Sequence, residues 1–194
     1  MNAFVCDRDP YAAAQALADP HVVKMPIEVA QVLCTVADHL NVDLHSAFGE
    51  VGIEPYKPTH RKHPVTLRAT ECEAYRWWLM CHGIALCDEY CARYGKKHKA
   101  LKAIEAASVA LDIRPCSRLE VQLALTGAPL AMPDECKRYD SQGAPRVVDS
   151  YRAALADKYR AWSRTWRVAT WTNAEPPAWL PADVPVRMKS HRAG

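Results

Sequence analysis

The chain has 194 residues, of which 49% are hydrophobic and 24% charged. That usage excludes a disordered chain and describes one globular domain with an ample core, followed by a separate tail. The net charge of +3 is too small to announce a polyanionic partner by itself, so any such surface must lie in how the charges are distributed.

Residues 1–7 form a short apolar lead, expected as a strand-like arm. Asp9-Pro10 is a helix-start signal and opens an alanine-rich helix over about 10–18. Asp19-Pro20 repeats it, with Asp19 expected as N-cap of a longer helix to about Leu40. In that helix His21, Lys24, Glu28 and Gln31 recur at spacings of three and four and share one face. Beside them Val22, Val29, Val32 and Leu33 supply an apolar stripe. The internal Pro26 removes a backbone donor and predicts a kink that frees the carbonyl of Val22. The polar face is either the wet side of an amphipathic helix or a site, since imidazole, amine and carboxylate together can hold and move protons.

Residues 41–63 read as a loop containing Gly49, Gly52, Pro55 and Pro58 and ending in YKPTHRKHP. His63-Pro64 then starts a helical region, broken or continuous, to about Tyr94, with Gly95 as its stop and Gly83 marking a close crossing or a kink. Another helix runs to about Leu111 and a short one covers about Ser117 to Leu125. The last long helix is expected from Pro145 to Trp171, with Tyr159, Trp162 and Trp166 on one face. Four prolines (Pro176, Pro177, Pro181, Pro185) make residues 172–194 an extended or disordered tail. No strand alternation or repeat is evident, so the expected fold is all-α: about five to six helices in one domain over 1–171.

The opening MNAFVCDRDP lacks the basic start and apolar run of a signal peptide, and no apolar stretch reaches membrane-spanning length. The expected setting is therefore a reducing cytoplasm, in which the eight cysteines are free thiols; with no paired CxxC, no metal site is expected. The chain has no GxGxxG, P-loop, HExxH or GxSxG, which removes support for dinucleotide enzymes, P-loop kinases, zincins and serine hydrolases. No cofactor is expected. Two clusters, 57–63 and 93–102, gather Lys57, Arg61, Lys62, Arg93, Lys96, Lys97, Lys99 and Lys102 with almost no acid. Such clusters are either solvated surface or phosphate contacts. The last helix interleaves Lys158, Arg160, Arg164 and Arg167 with Tyr159, Trp162 and Trp166, which suits either base stacking or core packing.

The segment LADPHVVKMPIEVAQVL, with Leu17, Ala18, Asp19, His21 and Glu28 in register, resembles the surroundings of the catalytic glutamate in the phage pyrimidine-dimer DNA glycosylases, also called endonuclease V. The segments His21–Met25, Tyr56–Pro64 and Glu89–His98 are also similar to HVVKM, YKxTHxxHP and EYxxRYGKxH segments of a set of phage proteins. The resemblance implies an endonuclease V-like helical fold, duplex DNA as partner with the target base flipped out, and a phage-infected host cell as the setting. In that family the α-amine of an N-terminal threonine forms a Schiff base with the sugar while the glutamate assists. Here Asn2 follows Met1, a large residue that discourages removal of methionine, and Ile27 and Gln31 stand where the family has basic residues.

Three functions are expected from this. In a pyrimidine-dimer glycosylase/AP-lyase-like enzyme, Glu28, Lys24 and His21 are catalytic, Lys24 replacing the terminal amine. Gln31, Lys57, Thr59, His60, Arg61, His63, Arg93, Lys96 and His98 then bind substrate and phosphate. In a DNA hypermodification transferase, a free amino acid or polyamine displaces pyrophosphate from an activated 5-hydroxymethyluracil. Glu28 or His21 deprotonates that amine, and Lys57, His60, His63 and Lys96 receive the pyrophosphate. The third is a non-catalytic DNA-binding accessory protein.

Overall fold

The computed structural model describes residues 2–165 and 167–190. Among these, eight α-helices run in the order α1 (Pro10–Gln15), α2 (Asp19–His39), α3 (His45–Glu50), α4 (Pro64–Glu71), α5 (Glu73–Tyr94), α6 (Leu101–Ala110), α7 (Arg118–Thr126) and α8 (Val147–Ser163). A 3-10 turn covers Asp134–Cys136, and two short strands, β1 (Ala169–Thr172) and β2 (Val186–Lys189), follow α8. The fold is all-α, with more helices than the five or six expected. The additional ones are short pieces, such as α3 inside the stretch read as a loop.

The architecture centres on α2, which packs against α4, α5, α6 and β1. Its Val22, Val29, Val32 and Leu33 are buried as the apolar stripe requires. The helix is continuous through the buried Pro26. Asp19 is not its N-cap: Ala18 takes that position without a side-chain bond, and Asp19 is the first helical residue. Its carboxylate is held instead by Arg93 at 2.9 Å and by the Thr172 amide and hydroxyl at 3.0 and 2.7 Å. Tertiary partners outbid the local cap.

Other termini follow local chemistry. Asp9 caps α1 by accepting from the amides of Tyr11 and Ala12. Ser117 and Glu120 form a capping box at α7. Gly95 ends α5 in the left-handed conformation, φ 65°. Gly83 lies where α5 crosses α2: a Cβ there would stand 2.6 Å from Val29 Cγ1 and 3.0 Å from Ile104 Cδ1. We expect Gly83→Ala to cost about 1–3 kcal/mol in chemical denaturation, part of it recovered by Val29→Ala; an unchanged midpoint would mean the crossing has slack.

The C-terminal segment departs most from expectation. α8 stops at Ser163, eight residues before Trp171, and Trp166 lies outside the described residues. Trp171 belongs to β1, which pairs in parallel with β2 in the register Ala169↔Val186 to Thr172↔Lys189. The tail is thus tied down through residue 189: β2 pairs with β1, Val184 is buried, Asp183 pairs with Arg160 at 2.8 Å, and Arg152 lies 5.5 Å from the Trp179 ring centre. All eight cysteines are unbonded thiols, four of them buried. Among the described residues no helix is long and apolar enough to cross a membrane, and no three His, Cys, Asp or Glu side chains gather as metal ligands.

Candidate functional site

Among the described residues, two of the surface clefts are of a size to bind a ligand. The larger, about 1090 Å³, lies between the N-terminal segment, α7 and the start of α8. Its four carboxylates are all engaged: Asp7 with Arg152, Asp149 with Arg146, Asp9 in the α1 cap, and Asp140 on the amides of Gln142 and Ala144. None of its carboxylates is free to act as a base. The smaller, about 620 Å³, is of a size to hold a nucleoside and is lined by His21, Lys24 and Glu28 of α2, Lys158 and Trp162 of α8, and Asn2 and Phe4.

Helical spacing aligns the α2 residues. Glu28 is 8% exposed; Lys24 Nζ reaches its Oε1 at 2.9 Å, and the Asn2 backbone amide donates to its Oε2 at 3.1 Å. Burial alone would raise the Glu28 carboxyl, but the Lys24 hydrogen bond and charge and the Asn2 amide outweigh it and hold the group below its ordinary value. Glu28 is therefore a fixed carboxylate at neutral pH. Asn2 is itself anchored, its side-chain amide donating to the Ala131 carbonyl at 2.9 Å and its Oδ1 accepting from Ala3 at 2.8 Å. Phe4 then takes φ 43°, a strained value for a bulky residue, which turns its ring to within 4.7 Å of His21.

His21 is buried, with Nδ1 3.1 Å from the Tyr159 hydroxyl and its ring 5.2 Å from that of Trp162. Burial, reinforced by the charges of Lys158 and Lys24, lowers its pKa to about 3. Burial likewise lowers His82, which sits against the Pro10 carbonyl, to about 4. Both rings are neutral when folded and bind a proton readily when unfolded, so stability falls as pH drops below 6.5 toward those values. We expect a slope approaching about 2.7 kcal/mol per pH unit between roughly pH 6 and pH 4. His82→Gln should about halve it; a flat profile would show that these rings are not held neutral.

Lys158 was legible only as one cation among several. Its Nζ stands 5.1 Å from the Phe4 ring centre and 5.9 Å from that of Trp162. Burial lowers its pKa, and Lys24 adds to this while Glu28 opposes it. Lys24 differs: its side chain is 72% exposed and carries the Glu28 ion pair. Asn2 and Phe4 carried no sequence signal at all.

The expected binding residues divide. The 57–63 segment docks on α2: Thr59 exchanges backbone hydrogen bonds with the Thr35 hydroxyl at 3.1 Å, Arg61 pairs with Asp38, and His39 meets the Arg61 carbonyl at 3.1 Å. Lys57, His60, Arg61 and Lys62 are exposed there and Gln31 is half-buried. His63 accepts the Val65 amide at 3.2 Å; burial lowers its pKa, and the charge of Glu28 acts on it in the opposite sense. The second segment meets α2 through His98, 3.1 Å from the Val23 carbonyl, and leaves Lys96, Lys97 and Lys99 exposed. Val23 and Ile27 of α2 are exposed.

Two expected phosphate ligands must be withdrawn. Arg93 is 1% exposed and bonded to Asp19, Glu89 and the Gln15 carbonyl. His98 is buried, with both ring nitrogens engaged by the Val23 carbonyl and the Ala100 amide. Each serves the fold. No family model matches the chain, and neither a curated protein nor a solved structure does.

Proposed function

We propose that the chain is a DNA-base-acting enzyme of the glycosylase/lyase type that works on an extruded, thymine-derived base. The observation that carries this reading is Glu28, held ionised by Lys24 and the Asn2 amide in the lining of a nucleoside-sized cleft to which the exposed Lys158 also contributes an amine of lowered pKa. A carboxylate so held is suited to stabilise positive charge developing at C1′ of the sugar. The amine is better supplied by Lys158 than by Lys24, because Lys24 Nζ is already engaged by the Glu28 carboxylate at 2.9 Å.

In this mechanism neutral Lys158 Nζ forms a bond to C1′ as the C1′–N bond to the base breaks; the base leaves with the electron pair and takes a proton from solvent. The nitrogen then loses a proton, and O4′ gains one as the C1′–O4′ bond opens to the protonated Schiff base. The exposed Lys57, Arg61, Lys62, Lys96, Lys97 and Lys99 would carry the flanking phosphates. Borohydride trapping on duplexes with a thymine dimer or an abasic site tests this reading, with the adduct mapped by peptide mass spectrometry. An adduct on Lys158 is expected, lost in Lys158→Ala and kept in Lys24→Ala. Absence of any adduct on either duplex would overturn the reading.

The transferase reading uses the same cleft. In its favour, His63 is near enough to Glu28 to feel its charge, and its ring lies 6.4 Å from that of the exposed His60, so a pyrophosphate could be received by these two rings. It predicts no trapped adduct, but turnover of activated 5-hydroxymethyluracil DNA with an amino acid or polyamine.

A further inference from the structure

Several buried side-chain polar atoms lack a partner among the described residues, including His21 Nε2, Tyr75 Oη, His82 Nε2 and Trp171 Nε1. Of these, only His21 lines either cleft. A buried donor with no acceptor is costly, and native proteins keep one mainly where something else is to use it.

The hydrogen-bond chain behind His21 favours one form of the ring. The Tyr159 hydroxyl accepts the Ala18 amide at 3.1 Å, and its own hydrogen has His21 Nδ1, also at 3.1 Å, as acceptor. Pairing that buried hydrogen favours Nδ1 as acceptor, and with Nδ1 accepting a neutral ring carries its proton on Nε2. A charged ring would need Nδ1 to donate, stranding the Tyr159 hydrogen in a buried site. Lys158 and Lys24 further disfavour a second proton on the ring. His21 is consequently unsuited to act as a base at Nε2; what it offers the cleft is a donor.

Around the His21 ring lie the Phe4 ring at 4.7 Å and the Trp162 ring at 5.2 Å between centres, with Lys158 Nζ resting over the same two aromatic rings. These surroundings suit a planar heterocycle. We propose that His21 Nε2–H is a base-recognition donor that binds a ring carbonyl of a thymine- or uracil-type base, which enters against Phe4 and Trp162 by displacing the Lys158 side chain. This rests on the function proposed above and narrows its substrate to bases that present a carbonyl oxygen. Adenine, with an amino group and ring nitrogens but no carbonyl, is rejected.

The test is nitrogen NMR of the intact protein with isotopically labelled histidine, titrated with millimolar thymidine and, separately, with deoxyadenosine. The His21 resonances are expected to report protonated Nε2 and unprotonated Nδ1. Thymidine should move Nε2 in the direction of a stronger hydrogen bond, with deoxyadenosine binding about tenfold or more weakly. Tyr159→Phe, which removes the hydrogen donated to Nδ1, should mix the two tautomers; His21→Phe should abolish the thymidine preference, with thermal melting as the check on folding. A ring protonated on Nδ1, or an Nε2 resonance that neither nucleoside moves, would overturn the proposal. Because this assay involves no DNA and no covalent step, it separates from the trapping experiment: an Nε2 response without trapping removes only the lyase chemistry, and trapping without an Nε2 response removes only the recognition role.

Discussion

Glu28→Gln is expected to lower turnover by about 10²–10⁴-fold while leaving DNA affinity within a few-fold. The substitution keeps the size of the side chain and removes its charge. Both Glu28 oxygens now face donors, Lys24 Nζ at 2.9 Å and the Asn2 amide at 3.1 Å. A glutamine can satisfy only one with its oxygen; its NH₂ group then opposes the other, and C1′ loses its counter-charge. Stability should change little, by about 1 kcal/mol or less, because the Lys24 end of the pair is exposed. The carboxyl pKa lies below its ordinary 4.5, so the wild-type rate should keep its Glu28 contribution down through that pH and lose it only in stronger acid. Turnover, filter-binding affinity and melting of the two proteins measured together decide the matter. Turnover within a few-fold of wild type would remove Glu28 from the chemistry and leave the cleft as a binding site.

The part of the site visible in the sequence is the part that lies on one helix. Asp19-Pro20 and the three–four spacing were enough to align His21, Lys24 and Glu28, because helical geometry is local and a two-residue signal starts it. The partners that decide what those residues do are remote. Asn2 reaches Glu28 across 26 positions, and Tyr159 reaches His21 across 138. Nothing in the neighbourhood of Lys158 announces that its Nζ will rest over the Phe4 and Trp162 rings. The same blindness produced the opposite error at Arg93 and His98: a run of basic residues looks like a phosphate surface until an acid 74 residues earlier is found on the guanidinium. The end of α8 was misplaced for a related reason. The spacing of Tyr159, Trp162 and Trp166 is helical, but Trp171 is claimed by pairing with the 186–189 strand, and pairing between distant strands leaves no local mark.

Arg93→Ala is expected to cost about 3–5 kcal/mol, the largest loss from any single substitution outside the apolar core. Its guanidinium joins four parts of the chain: Glu89 one turn back on α5 at 2.7 Å, Asp19 at the head of α2 at 2.9 Å, the Gln15 carbonyl ending α1 at 3.1 Å, and, through Asp19, Thr172 of β1. The Arg93 carbonyl also accepts from Asn173 at 3.0 Å. Alanine would leave the Asp19 and Glu89 carboxylates, 14% and 12% exposed at their side chains, without their counter-charge. Lysine should not rescue, since one ammonium cannot span two carboxylates and a carbonyl in the fork geometry. Asp19→Asn, which keeps a carbonyl oxygen to accept from Thr172, should lose less than Arg93→Ala. The double variant should then cost less than the sum of the two, because each removes the same contact. Asp19 heads the helix that carries His21, Lys24 and Glu28, so Arg93→Ala should also loosen the cleft and reduce turnover, the reduction being partly recovered by a stabilising osmolyte. Urea denaturation of the three variants and of Arg93→Lys supplies the numbers. A loss under about 1 kcal/mol for Arg93→Ala would mean that this cation is not needed at the junction of α1, α2, α5 and the strand pair.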